Sequence, residues 1–467
     1  METVVRFNSI INEFVWGPLL VCFFVGAGLY LSVLLGFPQL RYFRMAFWSV
    51  LHGARGHHRG AYDRSISSFA AMTTALAATI GTGNIAGVAT AIHLGGPGAI
   101  IWMLFSAFFG MCTKFSEVAL AVHFRKKDDH GDWRGGTMYI LEHGAGSKWL
   151  AFLFAVFTVI SALGSGAAVQ SNSVAEGLRI GFNLPRVYCG TILSILTGLV
   201  IIGGIKSLSA VATYLVPFMA VFYVGSSLAV IAYNITSIPG AIAVAVERAL
   251  YDPMAVPGAI AGWSVKQAIS KGIARGVFSN EAGLGSAPMV HSTADVDHPV
   301  RQGLYGIFEV FVDTFVICTV TALMILCTGS LTGHPDLTGS QLALMAFESC
   351  MGPMGKYILS ILITLFAYST ILGWYWYAET SMTYLFGIWC KPVFKLSWIA
   401  MIVIGSSGGD LFGTSANDFL DILWSMSDTL NGLMAIPNII GLLMLSKILR
   451  ELVNEFDEKR KNGELSA

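Results

Sequence analysis

Two short stretches carry the residue types and spacing that could bind a solute. Ala78-Thr79-Ile80-Gly81-Thr82-Gly83-Asn84 sets two glycines and a polar pair inside an apolar run. Phe278-Ser279-Asn280-Glu281-Ala282-Gly283-Leu284-Gly285-Ser286 does the same about 200 residues later. Glycine weakens helix propagation and permits close backbone approach, and at membrane depth unwound backbone is tolerated only against protein or a solvated cavity. Two such breaks at matching positions point to a binding site. Other chemistries lack their parts. HExxH and GxxxxGK[ST] are absent, and the one GxSxG match, Gly405-Ser406-Ser407-Gly408-Gly409, reads as a loop between two spans without the strand-to-helix context of a nucleophile elbow. His291, Asp295, Asp297 and His298 have metal-ligand character but read as a polar loop.

The elements that must position these residues are membrane helices. The 467 residues are 55% hydrophobic and only 12% charged, too little polarity to cover a water-soluble surface. Equal numbers of basic and acidic residues, 28 of each, leave no global field that would favour nucleic acid. The seven cysteines lie scattered, nearly all in apolar stretches, and read as small buried hydrophobes. Apolar runs near or above the roughly 20 residues that cross a bilayer recur at 14–36, 66–94, 97–123, 149–178, 187–204, 208–233, 264–290, 302–329, 356–386, 393–408 and 418–446, about eleven spans. The run 264–290 is the least apolar, holding Lys266, Lys271, Arg275 and Glu281. Segments 237–250 and 340–350 suit helices at the interface or packed over the bundle.

Both breaks open a set of five spans, 66–233 and 264–446, the arrangement of an inverted repeat in transporters with discontinuous helices. Residues 1–65 then form an accessory N-terminal helix and a loop, 234–263 an extracellular connection, and 447–467 a tail. Arg41, Arg44, Arg55, Arg59 and Arg64 after the first span, Arg125, Lys126, Lys127, Arg134 and Lys148 after the third, and the basic tail place the N-terminus outside and the C-terminus in the cytoplasm. No span shows the periodic polar stripe of a channel, and no ATP-binding loop is present, so an ion gradient is the expected energy source. The expected fold is all-α and polytopic.

Gly81-Thr82-Gly83-Asn84-Ile85-Ala86-Gly87-Val88, Gly95-Gly96-Pro97-Gly98-Ala99, Gly135-Gly136-Thr137-Met138-Tyr139, Ser279-Asn280-Glu281-Ala282-Gly283-Leu284-Gly285-Ser286-Ala287-Pro288 and Ala367-Tyr368-Ser369-Thr370-Ile371-Leu372-Gly373-Trp374 occur in that order along the chain. Together they resemble the alanine/glycine:cation symporter family, over nearly the whole length. A lone GTGN is weak, since Gly83 and Gly87 could equally serve a GxxxG helix contact. The resemblance implies a leucine-transporter-like fold, no enzyme activity, no cofactor, and uptake of a small neutral amino acid with sodium across a bacterial cytoplasmic membrane. Glutamine or D-alanine as cargo, or a proton in place of sodium, remain alternatives.

A zwitterion needs donors for its carboxylate and acceptors for its ammonium, which the two ends of a broken helix supply without a buried ion pair. Thr82, Gly83 and Asn84 are expected around the carboxylate, and Phe278 and Asn280 around the ammonium and side chain, with Gly283 letting the second backbone approach. Gln170 faces the site by resemblance, although an interhelical hydrogen bond is its plainer role. Trp374 is expected as an aromatic wall, with ordinary packing as its alternative. For sodium, alignment with the corresponding break of the leucine-transporter fold suggests the carbonyls of Ala77 and Ile80, and Ser369, Thr370 and the Phe366 carbonyl would complete the oxygens. Adjacent Ser-Thr in a membrane helix also commonly bonds its own backbone one turn earlier. Lys114 and Glu117 are expected to neutralise each other. Glu281 is a candidate for gating or proton coupling, or for tying down the unwound backbone.

Overall fold

The computed structural model describes residues 2–55, 65–128, 131–251, 264–334, 336–412 and 414–465. Arg59 and Arg64, and the 252–263 end of the expected connection, lie outside these residues. Helix α1 (Glu2–Val15) and helix α2 (Pro18–Leu34) form the accessory N-terminal run. Its helix starts well before residue 14, where the apolar run begins.

The first break separates α3 (Ser68–Thr79) from α4 (Val88–Gly95) through a π-helical turn at Gly83–Gly87, and the two halves bend by 53°. Gly96, with φ +74°, and Pro97 end the second half, a positive-φ glycine followed by a residue that cannot continue a helix. Helix α5 (Ala99–His123) crosses back. Helix α6 (Lys148–Ser161) runs through a further π-helical stretch, Ala162–Ala168, into α7 (Val169–Phe182). Helices α8 (Arg186–Ile202) and α9 (Gly204–Tyr233) complete the first half.

The second half opens on α10 (Val265–Asn280), whose Ser264 and Gln267 form a capping box. After Asn280 the chain leaves the helix until one turn at Pro288–His291. Helix α11 (Pro299–Val310) continues through a π-helical stretch, Phe311–Cys318, into α12 (Thr319–Cys327). Three long helices follow, α13 (Pro353–Phe386), α14 (Lys391–Phe412) and α15 (Thr414–Met444). Among the described residues seven helical runs are long and apolar enough to cross a membrane, and the broken pair α3/α4 also passes when counted as one. The fold is thus a mostly helical membrane bundle. Segments Ile238–Leu250 and Gly339–Met351 are short helices, as their apolar runs suggested. Gly405–Gly409, read from sequence as a loop, is instead helical within α14.

Small residues draw the helices together where lipid supplies no hydrophobic drive. On α10, a Cβ at Gly272 would run into the Ala99 carbonyl and one at Gly276 would lie 2.9 Å from Ser106 Oγ, so this GxxxG pair lets α10 lie directly on α5. The outward faces of α8 and α9 stay apolar, with Leu199 67% and Val221 74% exposed, which suits lipid and not water. A two-residue parallel ladder, Ile66–Ser67 with Ala294–Asp295, joins the start of α3 to the segment after the second break. The C-terminal stretch is no loose tail: α16 (Ser446–Lys461) packs Phe456 edge-on against Tyr42, whose hydroxyl donates to Asp457 at 2.6 Å.

Candidate functional site

The first break is closed by a side chain. The Ile80 N–H completes the last turn of α3 on the Leu76 carbonyl at 2.8 Å, but the next N–H, of Gly81, donates to Asn84 Oδ1 at 2.9 Å instead of reaching back to Ala77. The Ala77 carbonyl loses its helical partner. A Cβ at Gly81 would overlap Thr370 Oγ1, so glycine is what lets the unwound chain reach α13.

The second break spends its polar groups on neighbouring helices. Glu281 (φ +55°), Gly283 (φ +93°) and Gly285 (φ +79°) turn the chain out of α10. Glu117 Oε1, from α5, accepts the N–H groups of Gly283 at 3.0 Å and Gly285 at 3.1 Å together with Asn438 Nδ2 at 2.5 Å. Asn280 donates to Thr314 Oγ1 and accepts from the Ala282 N–H, both at 3.0 Å. Asp313, fully buried in the π-helical stretch after α11, ties the breaks to each other: it accepts from Asn84 Nδ2 at 2.6 Å and from Ser279 Oγ at 3.0 Å. π-helical turns aim side chains that a regular helix would leave in register, and here one places a carboxylate between the two interruptions.

Between the breaks lies a cavity of about 30 Å³, lined by Ala78, Thr79, Gly81, Thr82 and Gly83 from the first, by Phe278, Ser279 and Glu281 from the second, and by Ser165, Gln170, Thr370, Trp374 and Asn431. Thr82 Oγ1 donates to Gln170 Oε1 at 3.1 Å, and Gln170 Nε2 donates to the Ser165 carbonyl at 3.2 Å, so Gln170 holds the mouth of the first break while facing the cavity. Trp374 rests on Gly166, where a Cβ would lie 2.6 Å from the Trp374 Cβ, and its ring meets Tyr377 edge-on.

Of the expected substrate residues, Thr82, Gly83, Gln170, Phe278 and Trp374 line this cavity and Asn84, Asn280 and Gly283 do not. Asn84 folds back onto Gly81 and Asp313. Asn280, two residues beyond Phe278, turns toward Thr314, because a step of two on a helix reverses the face. A Cβ at Gly283 would meet Phe24 of α2 at 3.0 Å, so this glycine serves contact with the accessory helix. Ser165 and Asn431 line the cavity without having been singled out in the sequence. Their signal was faint: single polar residues within long apolar spans.

The oxygens expected around sodium converge in part. Ser369 Oγ lies 3.3 Å from the Ile80 carbonyl and 2.8 Å from that of Phe366, and Thr370 Oγ1 is 3.0 Å from the same Phe366 oxygen. Both hydroxyls therefore bond their own helix one turn back, yet Ser369 has one proton for two carbonyls, which leaves oxygen lone pairs facing one another. That donor set suits a hard cation.

Lys114 and Glu117 do not neutralise each other. Lys114 Nζ pairs with Glu309 Oε1 at 3.0 Å, with both side chains fully buried, while Glu117 is drawn to the free N–H groups of the second break. Glu309 also meets His291 Nε2 at 3.0 Å, so His291 belongs to this network and not to a polar loop. His298 lies elsewhere, its ring nitrogen accepting the Val300 N–H at the start of α11.

Solved structures share this helical architecture. The crystal structure of MhsT in complex with L-phenylalanine superposes with a TM-score of 0.54 at 15% identity, covering 84% of this chain and 99% of that one, and so has the same fold. The sodium/alanine symporter AgcS of Methanococcus maripaludis is 43% identical over 469 residues, covering 99% of each chain. An uncharacterized transporter of Haemophilus influenzae is 41% identical over 461 residues, covering 98% of this chain and 97% of its own. Residues 1–467 match the sodium:alanine symporter family. With both broken helices, the cavity between them and full-length likeness to a sodium/alanine symporter in agreement, the chain belongs to the sodium:alanine symporter family, a family of membrane transporters and not of enzymes.

Proposed function

We propose that this chain takes up a small neutral amino acid, alanine or glycine, together with sodium by alternating access. The observation that carries this reading is the cavity itself, about 30 Å³, set between two unwound segments. The Thr82 and Gly83 N–H groups, at the start of the helical segment that follows the first break, would receive the substrate carboxylate. Phe278 and Trp374 would bound its side chain, and two bulky rings lining the cavity favour a methyl group or a hydrogen over a longer chain. Sodium would bind where the Ala77, Ile80 and Phe366 carbonyls meet the Ser369 and Thr370 hydroxyls, joining the first broken helix to α13.

In this reading the halves 66–233 and 264–446 form an inverted repeat, each contributing its interrupted first helix to the cavity. The protein sits in a cytoplasmic membrane with its N-terminus outside, following the basic loops. The test is uptake of radiolabelled alanine, glycine and glutamine into proteoliposomes under imposed sodium or proton gradients. Alanine and glycine should accumulate on an inward sodium gradient and stop when an ionophore collapses it. Flux indifferent to both gradients would indicate a channel, and a preference for glutamine would overturn the cargo assignment.

A further inference from the structure

Nearly every polar side chain on the wall of the cavity is already spent inside the protein. The hydroxyls of Thr79, Ser165 and Thr370 turn back onto the carbonyls of Ala75, Ser161 and Phe366 in their own helical runs. Thr82 donates to Gln170, and Gln170 to the Ser165 carbonyl. Ser279 donates to Asp313, and the Glu281 carboxylate takes the Ser286 hydroxyl. Asn431, on α15, differs from all of these. It lines the same cavity and is 2% exposed, yet its Oδ1 is fully buried and has no hydrogen-bond partner among the described residues. A buried acceptor left unmet costs folding free energy, so its presence calls for a cause.

The backbone around Asn431 is fastened on two sides and cannot withdraw the amide from the cavity. Gly432, next in sequence, lies so close to the N-terminal helices that a Cβ there would overlap Val15 Cγ1 and come within 3.1 Å of the Trp16 ring. Trp16 in turn stands edge-on to Phe278, another wall of the cavity. One turn before Asn431, the Ser427 carbonyl accepts from Ser161 Oγ, at the end of α6, at 3.3 Å.

The missing donor can be named from the chemistry of the cargo. Alanine and glycine have no polar side chain, so every N–H they bring into the cavity sits on the ammonium, whereas the carboxylate only accepts. Their one unmet need on this wall is an acceptor. An amide oxygen meets it with a charge-assisted hydrogen bond, and unlike a second carboxylate it leaves no net charge buried when the cavity is empty.

We propose that Asn431 is a cargo-binding residue: its Oδ1 accepts a hydrogen bond from the substrate ammonium, opposite in kind to the N–H groups that take the carboxylate. This rests on the cavity being the cargo site.

The test is binding of radiolabelled alanine, in sodium, to purified wild type, to Asn431→Leu, which keeps the volume and removes the acceptor, and to Asn431→Asp, which keeps an oxygen in place. Asn431→Leu should bind alanine about tenfold more weakly or worse, as expected for one hydrogen bond to a charged group, and Asn431→Asp should retain most of the affinity. Competition by glycine and serine should weaken in Asn431→Leu by the same factor, because all three share the ammonium. Without cargo, Asn431→Leu should melt no lower than wild type, since an unmet polar group has given way to an apolar one. Where leucine is not accommodated, Asn431→Ala, which only removes atoms, replaces it with the same expected loss. Wild-type affinity in Asn431→Leu would overturn the proposal, and so would a lowered melting temperature with binding lost in Asn431→Asp as well, the mark of packing alone. A loss confined to serine would overturn it too, making Asn431 a reader of side chains. Absence of sodium-dependent alanine binding in wild type would bring down the cargo reading along with it, whereas normal binding by both wild type and Asn431→Leu would remove Asn431 alone.

Discussion

Ser369 and Thr370 share one acceptor, the Phe366 carbonyl, and Ser369 also reaches Ile80 across the break. Hydroxyls that served only their own helix would not need the Ile80 carbonyl within reach, and this contact is what favours the cation reading over plain back-bonding. Replacing both with alanine should raise the sodium concentration for half-maximal alanine uptake by about 30-fold, taking each hydroxyl as worth about 1 kcal/mol. A sodium dependence equal to wild type would remove both from the site. Trp374 makes a separate prediction, because it walls the cavity from the Gly166 side. Trp374→Ala should improve competition by larger neutral amino acids relative to alanine. An equal loss for every substrate would mark the ring as packing alone.

At the scale of helices, α5 and α11 are held by the Lys114–Glu309 pair, fully buried on both sides. Breaking a buried pair from one side leaves a charge without a partner, at a cost of about 3–5 kcal/mol, whereas replacing both partners with apolar groups is often neutral. Lys114→Met should therefore lower the melting temperature in detergent clearly, and Lys114→Met with Glu309→Leu should restore most of it. A single variant as stable as wild type would show that the pair contributes nothing to helix association. The helices themselves were legible from hydropathy, and the breaks from glycine and polar residues at apolar depth. The partners of Lys114 and Glu117 were not, because three-residue spacing on α5 shows that they are neighbours but not what the opposing helix offers. Asn84, Asn280 and Gly283, expected at the site, lie beside the cavity for separate reasons: Asn84 sits in a π-helical turn, Asn280 at the end of α10 falls on the face opposite Phe278, and at Gly283 (φ +93°) the chain has left the helix. Asp313 carries no signal of its own in the sequence, since its role depends on a π-helical turn and on two segments far away in sequence.

Over the whole molecule, the stretches 66–233 and 264–446 are joined by the packing of α10 and α11 on α5 and of α13 on α7, by the Asp313 link between the breaks, by the Ile66–Ser67 ladder with Ala294–Asp295, and by the cavity lined from both. The N-terminal helices also reach the site, with Trp16 edge-on to Phe278 and Phe24 against Gly283. The central claim is that the space between the breaks holds the amino acid. Gly83 tests it most directly, since a Cβ there would stand 3.8 Å from Phe278 in ordinary contact, while a longer side chain would fill the cavity. The deciding measurement is binding of radiolabelled alanine to purified wild-type and Gly83→Leu protein, with and without sodium, at matched monodispersity in detergent. The account predicts sodium-dependent binding by wild type and none by Gly83→Leu. Wild-type affinity in a well-folded Gly83→Leu would contradict it.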